Sequence, residues 1–157
     1  MARVYLGLGS NLGNKEQNLH NAIQKIEKRI GKIVSLSAFY VTTPLGFISG
    51  NDFLNAVLCS ESLLFPLEIL KETQLIECEM GRVNKSVDGI YQDRLIDIDL
   101  LLYDRLIMKT EKLTLPHPLM SKRLFVMKPM GEIAPEIIHP VLGKKMKEIL
   151  YSIEKTL

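Results

Sequence analysis

Read from the N-terminus, the pattern of apolar and polar positions switches between a period of two and a period near 3.6. Val4 to Leu8 is a first strand, running into Gly7-Leu8-Gly9-Ser10-Asn11-Leu12-Gly13-Asn14. Asn14 followed by Gln17 predicts a capping box. Leu19, Ala22, Ile23, Ile26 and Ile30 then fall on one helical stripe, which Gly31 ends. Ile33 to Val41 alternates as a second strand until Pro44 and Gly46 interrupt it, and Phe53 to Ser60 is a third. Pro66 opens a second helix that reaches Met80 and stops at Gly81, with Leu67, Leu70, Gln74 and Glu77 sharing a face. Arg94 to Tyr103 is a strongly apolar strand of the sheet interior, with Ile96, Ile98, Leu100 and Leu102 on one face. Asp104-Arg105 turns the chain, Met127 to Ala134 is too short and mixed to assign, and Lys145 to Ile153 is a terminal helix. Strand–helix–strand–strand–helix–strand is the α+β, ferredoxin-like βαββαβ order: a mainly antiparallel sheet, helices packed on it, and a C-terminal extension.

Composition narrows the class. At 157 residues the chain predicts a single domain, 1–157, and a net charge of +2 lacks the basic excess of a nucleic-acid binder. Cys59 and Cys78 have no metal or redox spacing, and no apolar run approaches a membrane span. With a first strand beginning at once after Met1, these features predict a cytoplasmic protein with reduced thiols.

The candidate chemistry lies on the last core strand. Asp97 and Asp99 share its second face with Leu95 and Leu101, roughly 7 Å apart at Cα. Two carboxylates that close on an apolar strand call for a counter-ion, and Mg²⁺ takes a few carboxylates and completes its shell with phosphate and water. The polar stretch from Arg82 to Arg94 is long for a connector, and Arg82, Lys85 and Arg94 bracket it. Cations beside a metal-binding acid pair are what phosphoryl transfer needs; the competing reading is a solvated charged loop. The glycine-bearing run lacks Lys-Ser/Thr after its last glycine, so it is not a Walker loop, and leucine at 12 breaks a dinucleotide fingerprint. It reads as a tight strand-to-helix turn in which Ser10 or Asn11 can meet a ligand. Asn55 on the third strand suits the edge of a planar heterocycle, with Phe53 beside it either stacking or simply packing in the core. His117, between Pro116 and Pro118, sits on a stiff backbone, whereas His20 and His139 carry no role.

These segments together resemble the 6-hydroxymethyl-7,8-dihydropterin pyrophosphokinase family across essentially the whole chain. They are Gly9-Ser10-Asn11-Leu12-Gly13, Phe39-Tyr40 leading to Thr42 and Pro44-Leu45-Gly46, and Phe53-Leu54-Asn55-Ala56. Arg94-Leu95-Ile96-Asp97-Ile98-Asp99-Leu100 follows, and then Leu115-Pro116-His117-Pro118 with Arg123 and Phe125. The resemblance implies transfer of the β,γ-pyrophosphoryl group of ATP to the hydroxymethyl group of the pterin, releasing AMP, in folate biosynthesis. It implies two Mg²⁺ ions on Asp97 and Asp99, with Arg82 and Arg94 also catalytic. Gln74, Glu77, Lys85, Ile98, Leu100, Thr114, His117 and Arg123 would face the nucleotide. Asn11, Thr42, Leu45, Phe53, Asn55 and Phe125 would hold the pterin. The partners implied are these two small molecules, with no nucleic acid or membrane, in a monomer or weak dimer.

Two other classes compete. A nucleotidyltransferase would pair its Gly-Ser turn with D-x-D close in sequence, but Ser10 and Asp97 are far apart. A ferredoxin-like binding module for RNA would need a basic, aromatic strand face. The chain also departs from the family pattern: Tyr91-Gln92-Asp93-Arg94 stands where Trp-Gly-Pro-Arg is common, Asn84 where arginine is frequent, and the loop is about two residues longer. Asp97 is the nearest group to accept the hydroxyl proton. If Tyr91 replaces the tryptophan's packing over ATP, Tyr91→Ala weakens ATP affinity several-fold and slows turnover. Unchanged values for both contradict that role.

Overall fold

Strand β1 (Ala2–Ser10) is the centre of the sheet, because it pairs antiparallel with β4 (Phe53–Ser62) on one side and β5 (Asp97–Tyr103) on the other. Side chains alternate along it, so Val4, Leu6 and Leu8 serve one face and Tyr5, Gly7 and Gly9 the other. The computed structural model describes residues 1–42, 52–81 and 95–157. Strand β2 (Gly31–Leu36) adds to the far side of β4, giving the order β2-β4-β1-β5, and β3 (Tyr40–Thr42) pairs with β4 beyond the end of β2. All these pairings are antiparallel, and the connections are those of the ferredoxin-like βαββαβ fold.

Helices α1 (Lys15–Arg29) and α2 (Pro66–Glu79) cover one face. Leu19, Ala22 and Ile26 from α1 and Ile69 and Ile76 from α2 meet Val4, Leu6, Leu8, Leu58, Ile98 and Leu100 there. A short ladder of β6 (Met108–Lys109) and β7 (Thr114–Leu115) follows β5. Helices α3 (Leu124–Ile133) and α4 (Met146–Lys155) cover the other face, where Val126, Met127, Met130, Met146 and Ile149 bury Tyr5, Val57, Cys59, Leu101 and Leu102. The C-terminal extension thus covers one of the two faces of the sheet.

Several expectations are corrected. The second strand is two strands: Ser37 interrupts it, bonding through its N–H to the Val57 carbonyl and through its hydroxyl to the Val57 N–H. Helix α1 does end before Gly31, and that glycine also starts β2, where an added Cβ would lie 2.0 Å from the Glu61 carbonyl oxygen. Only half of the capping box forms. Asn14 accepts from the Gln17 N–H, while the Gln17 side chain donates to Asn21 instead. The buried stripe of α2 is Ile69, Thr73, Ile76 and Glu77, and Leu67 and Gln74 are exposed. On β5 a register shift opposite Tyr5/Leu6 moves Leu102 to the second face, next to Leu101, instead of continuing the Ile96–Ile98–Leu100 row. Residues 124–133 form α3 despite Pro129, because the methionines and Val126 of that helix are buried against the sheet.

Candidate active site

The second core ends at Tyr5, Val57 and Leu101, and on the same face of the sheet β1 continues with two residues that carry no side chain. Gly7 lies opposite Val57 and Asp99, and Gly9 opposite Asn55 and Asp97. A Cβ at Gly9 would sit 2.9 Å from Asn55 Oδ1 and 3.7 Å from the Phe53 ring, and one at Gly7 would sit 3.5 Å from Leu101. The two glycines therefore form the floor of a groove over β1. Asp97 and Asp99 of β5 stand on one side, and Phe53 and Asn55 of β4 on the other.

The acid wall is built by β5 and the chain after it. Asp97 and Asp99 are half-buried, and Arg123 Nη1 lies 3.9 Å from Asp99 Oδ2. Arg123 also places its guanidinium 5.5 Å from the centroid of the Phe125 ring, so the start of α3 carries a cation and an aromatic together. The His117 N–H donates to the Leu101 carbonyl, which holds this segment along β5. His117 Nδ1 accepts from the Leu119 N–H at 3.1 Å. Burial, reinforced by the Arg123 charge and opposed by Asp97, pushes the imidazole down to about 4. The ring is then neutral with its proton on Nε2, a donor suited to a phosphate oxygen. No group of three or more His, Cys, Asp or Glu side chains capable of holding a metal occurs among the described residues. The donor set fits a hard divalent cation bound by two carboxylates, with phosphate and water completing its shell.

The recognition wall is fixed by β3. Asn55 is buried, and its Nδ2 donates to Thr42 Oγ1 at 2.6 Å, while its Oδ1 points over Gly9. Thr42 thus sets the orientation of an amide whose oxygen faces the groove. Lys15 Nζ bonds to the Asp52 carbonyl at 3.0 Å, tying the start of α1 to the residue before Phe53. Asn11 is buried at the end of β1. Ser10 is fully buried, and its Oγ accepts from Asn18 Nδ2, which also bonds the Leu12 carbonyl and stitches the turn closed.

The remaining expected residues divide. Glu77 is buried and takes the Ile98 N–H at 2.8 Å, so this acid covers the outer edge of β5. Ile98 and Leu100 bury their side chains in the core on the opposite face from the acids, and the Ile98 N–H is already taken by Glu77. Gln74 is exposed on α2, and Thr114 lies on β7 ahead of His117. Leu45, Arg82, Lys85 and Arg94, with Asn84 and Tyr91, lie outside the described residues. Sequence reasoning took the glycines of β1 only as a turn. The signal it passed over was their spacing of two within a strand, which bares one face. A separate groove of about 520 Å³ between α1 and the end of α2 is lined by Lys25, Lys28, Arg29 and Glu79. Its Lys25 and Arg29 meet Glu72 and Glu79, and it offers neither an aromatic wall nor an acid pair.

As pH falls, the unfolded chain protonates its His117 near 6.5 while the folded chain holds the ring neutral until about 4, so stability declines across that window. NMR of the ligand-free protein is expected to place the His117 midpoint near 4. A midpoint near 6.5 contradicts the burial and the Arg123 field described here.

Residues 5–135 match the family model described as 7,8-dihydro-6-hydroxymethylpterin-pyrophosphokinase (HPPK). A protein of Porphyromonas gingivalis named 2-amino-4-hydroxy-6-hydroxymethyldihydropteridine pyrophosphokinase is 48% identical over 143 residues, covering 89% of this chain and 95% of that one. The like-named protein of Aquifex aeolicus is 40% identical, covering 94% and 90%. A crystal structure described as an HPPK-DHPS in complex with substrates superposes with a TM-score of 0.80 at 16% identity. It covers 99% of this chain, which spans 44% of that longer one, and at this identity it bears on the fold. With a match running from β1 into the turn after α3, the chain belongs to the HPPK family.

Proposed function

We propose that this chain transfers the β,γ-pyrophosphoryl group of ATP to the hydroxymethyl oxygen of 6-hydroxymethyl-7,8-dihydropterin. The observation that carries this reading is the glycine-floored groove with a carboxylate pair on one side and an amide and a phenyl ring on the other. The pterin stacks between Phe53 and Phe125, and Asn55, oriented by Thr42, accepts from its ring N–H groups. Asn11 lines the same pocket, and the family resemblance assigns Leu45 to the pterin as well. Arg123 and neutral His117 contact the phosphates, joined by Arg82, Lys85 and Arg94. Gln74, Glu77, Thr114, the Ile98 carbonyl and the main chain of Leu100 meet the rest of the nucleotide, with the Ile98 N–H already held by Glu77.

The hydroxymethyl oxygen forms a bond to the β-phosphorus, the bond from that phosphorus to the oxygen bridging to the α-phosphorus breaks, and AMP leaves with that oxygen. Little covalent work falls to the protein, so positioning and charge neutralisation dominate. Asp97 and Asp99 would hold the two Mg²⁺ ions, and the chemistry that these would supply when bound is charge neutralisation on the triphosphate. The hydroxyl proton leaves towards the Asp97 carboxylate. The described helices include none long and apolar enough to cross a membrane, and with Cys59 and Cys78 unpaired by any disulfide the fitting compartment is the cytoplasm.

The test is a product assay with ATP, Mg²⁺ and the pterin. AMP is expected to appear in step with pterin diphosphate, and release of inorganic pyrophosphate instead overturns the reading. Replacing Asp97 and Asp99 together by alanine is expected to lower turnover by roughly a thousandfold while the far-UV spectrum is unchanged. Retained turnover in that variant removes the acids from the chemistry.

A further inference from the structure

We propose that Glu132 is a positioning residue that fixes the width of the pterin cleft by tying α3 to the edge strand β3. This rests on the reading that Phe53, Asn55 and Phe125 hold the pterin. The two walls of that pocket belong to different parts of the fold. Phe125 and Arg123 ride on the first turn of α3, whereas Thr42, which orients Asn55, ends a three-residue strand that among the described residues is paired only with β4. Nothing in the sheet ladder itself sets the distance between them.

Glu132, at the other end of α3, bridges this gap. Its two carboxylate oxygens accept from the Ala38 N–H at 3.1 and 3.2 Å, at the break between β2 and β3, and Oε1 also accepts from the Tyr40 hydroxyl at 2.5 Å. Tyr40 lies directly opposite Asn55, and two residues along β3 Thr42 lies opposite Phe53, so the anchor point is on the recognition wall itself. The Tyr40 phenol, pushed up to about 12 chiefly by this carboxylate, stays a donor throughout the working pH range. From behind, α3 is pinned by α4: a Cβ at Gly131 would lie 2.8 Å from Leu150 Cδ2, so the two helices are in close contact there. Glu132 is exposed, and the apolar contacts of Val126, Met127 and Met130 already hold α3 on the sheet. The carboxylate is therefore not needed for burial. It makes charge-assisted bonds that hold the edge strand and helix in register, and sub-ångström placement of such walls governs ligand affinity.

The experiment measures pterin affinity by fluorescence in the presence of Mg²⁺ and a non-hydrolysable ATP analogue, alongside KM for both substrates and the melting temperature. Glu132→Ala is expected to weaken pterin binding about tenfold while ATP affinity changes less than twofold and melting shifts little. Glu132→Gln, whose amide oxygen can still accept from Tyr40 and Ala38, is expected to recover most of the loss, and Tyr40→Phe to reproduce part of it. Unchanged pterin affinity in Glu132→Ala overturns the proposal. So does a parallel loss for both substrates with a lowered melting temperature, or a glutamine variant no better than alanine. A wild-type chain that binds the pterin but releases no AMP defeats the proposed reaction, and the binding measurements still decide the role of Glu132.

Discussion

Strand β1 is bonded on both sides, and its two rows of side chains are thereby committed to two faces. One row, Val4, Leu6 and Leu8, is spent on the core beneath α1 and α2. The other begins with Tyr5 in the second core and then carries no side chain at Gly7 and Gly9. Everything distinctive about the site depends on that second row. The missing Cβ atoms let Asn55 lean over the strand and leave Asp97 and Asp99 facing an open floor. With alanine at position 9 the amide oxygen would meet the new carbon at 2.9 Å and have to move.

The groove separates two kinds of work. The β5 side gathers charge: two carboxylates, the Arg123 guanidinium, and a neutral His117 held between them. The β4 side holds an oriented amide and a ring, groups that read shape and hydrogen-bonding pattern. Phe125 links the two, since the cation–π contact with Arg123 couples the aromatic clamp to the acid wall. An alcohol that must approach a phosphorus atom needs this adjacency, with the heterocycle held on one side and the triphosphate neutralised on the other.

Most of the fold was legible because periodicity reports burial. The α1 stripe, the α2 start at Pro66 and stop at Gly81, and the apolar run of β5 all follow from local pattern. What was not legible depended on tertiary partners. Helix α3 carries an internal proline and a weak start, and only the exposed second face of the sheet makes it worth forming. The break at Ser37 and the bulge that turns Leu102 over are set by pairing with β4 and β1. In the candidate site, Asp97, Asp99, Asn55 and His117 could be singled out from residue type and setting. Glu132 and Tyr40 were not, because nothing in the sequence says that positions 40 and 132 meet.

The central claim is that the acids beside the glycine floor hold the metal and triphosphate. Amide NMR of the labelled chain with a non-hydrolysable ATP analogue and trace Mn²⁺ tests it most directly, since the paramagnetic ion erases signals near itself. The account predicts that the amides of Gly7, Gly9, Ile98 and Asp99 broaden first. Survival of those four signals while amides around Glu79 or Glu136 disappear would contradict it.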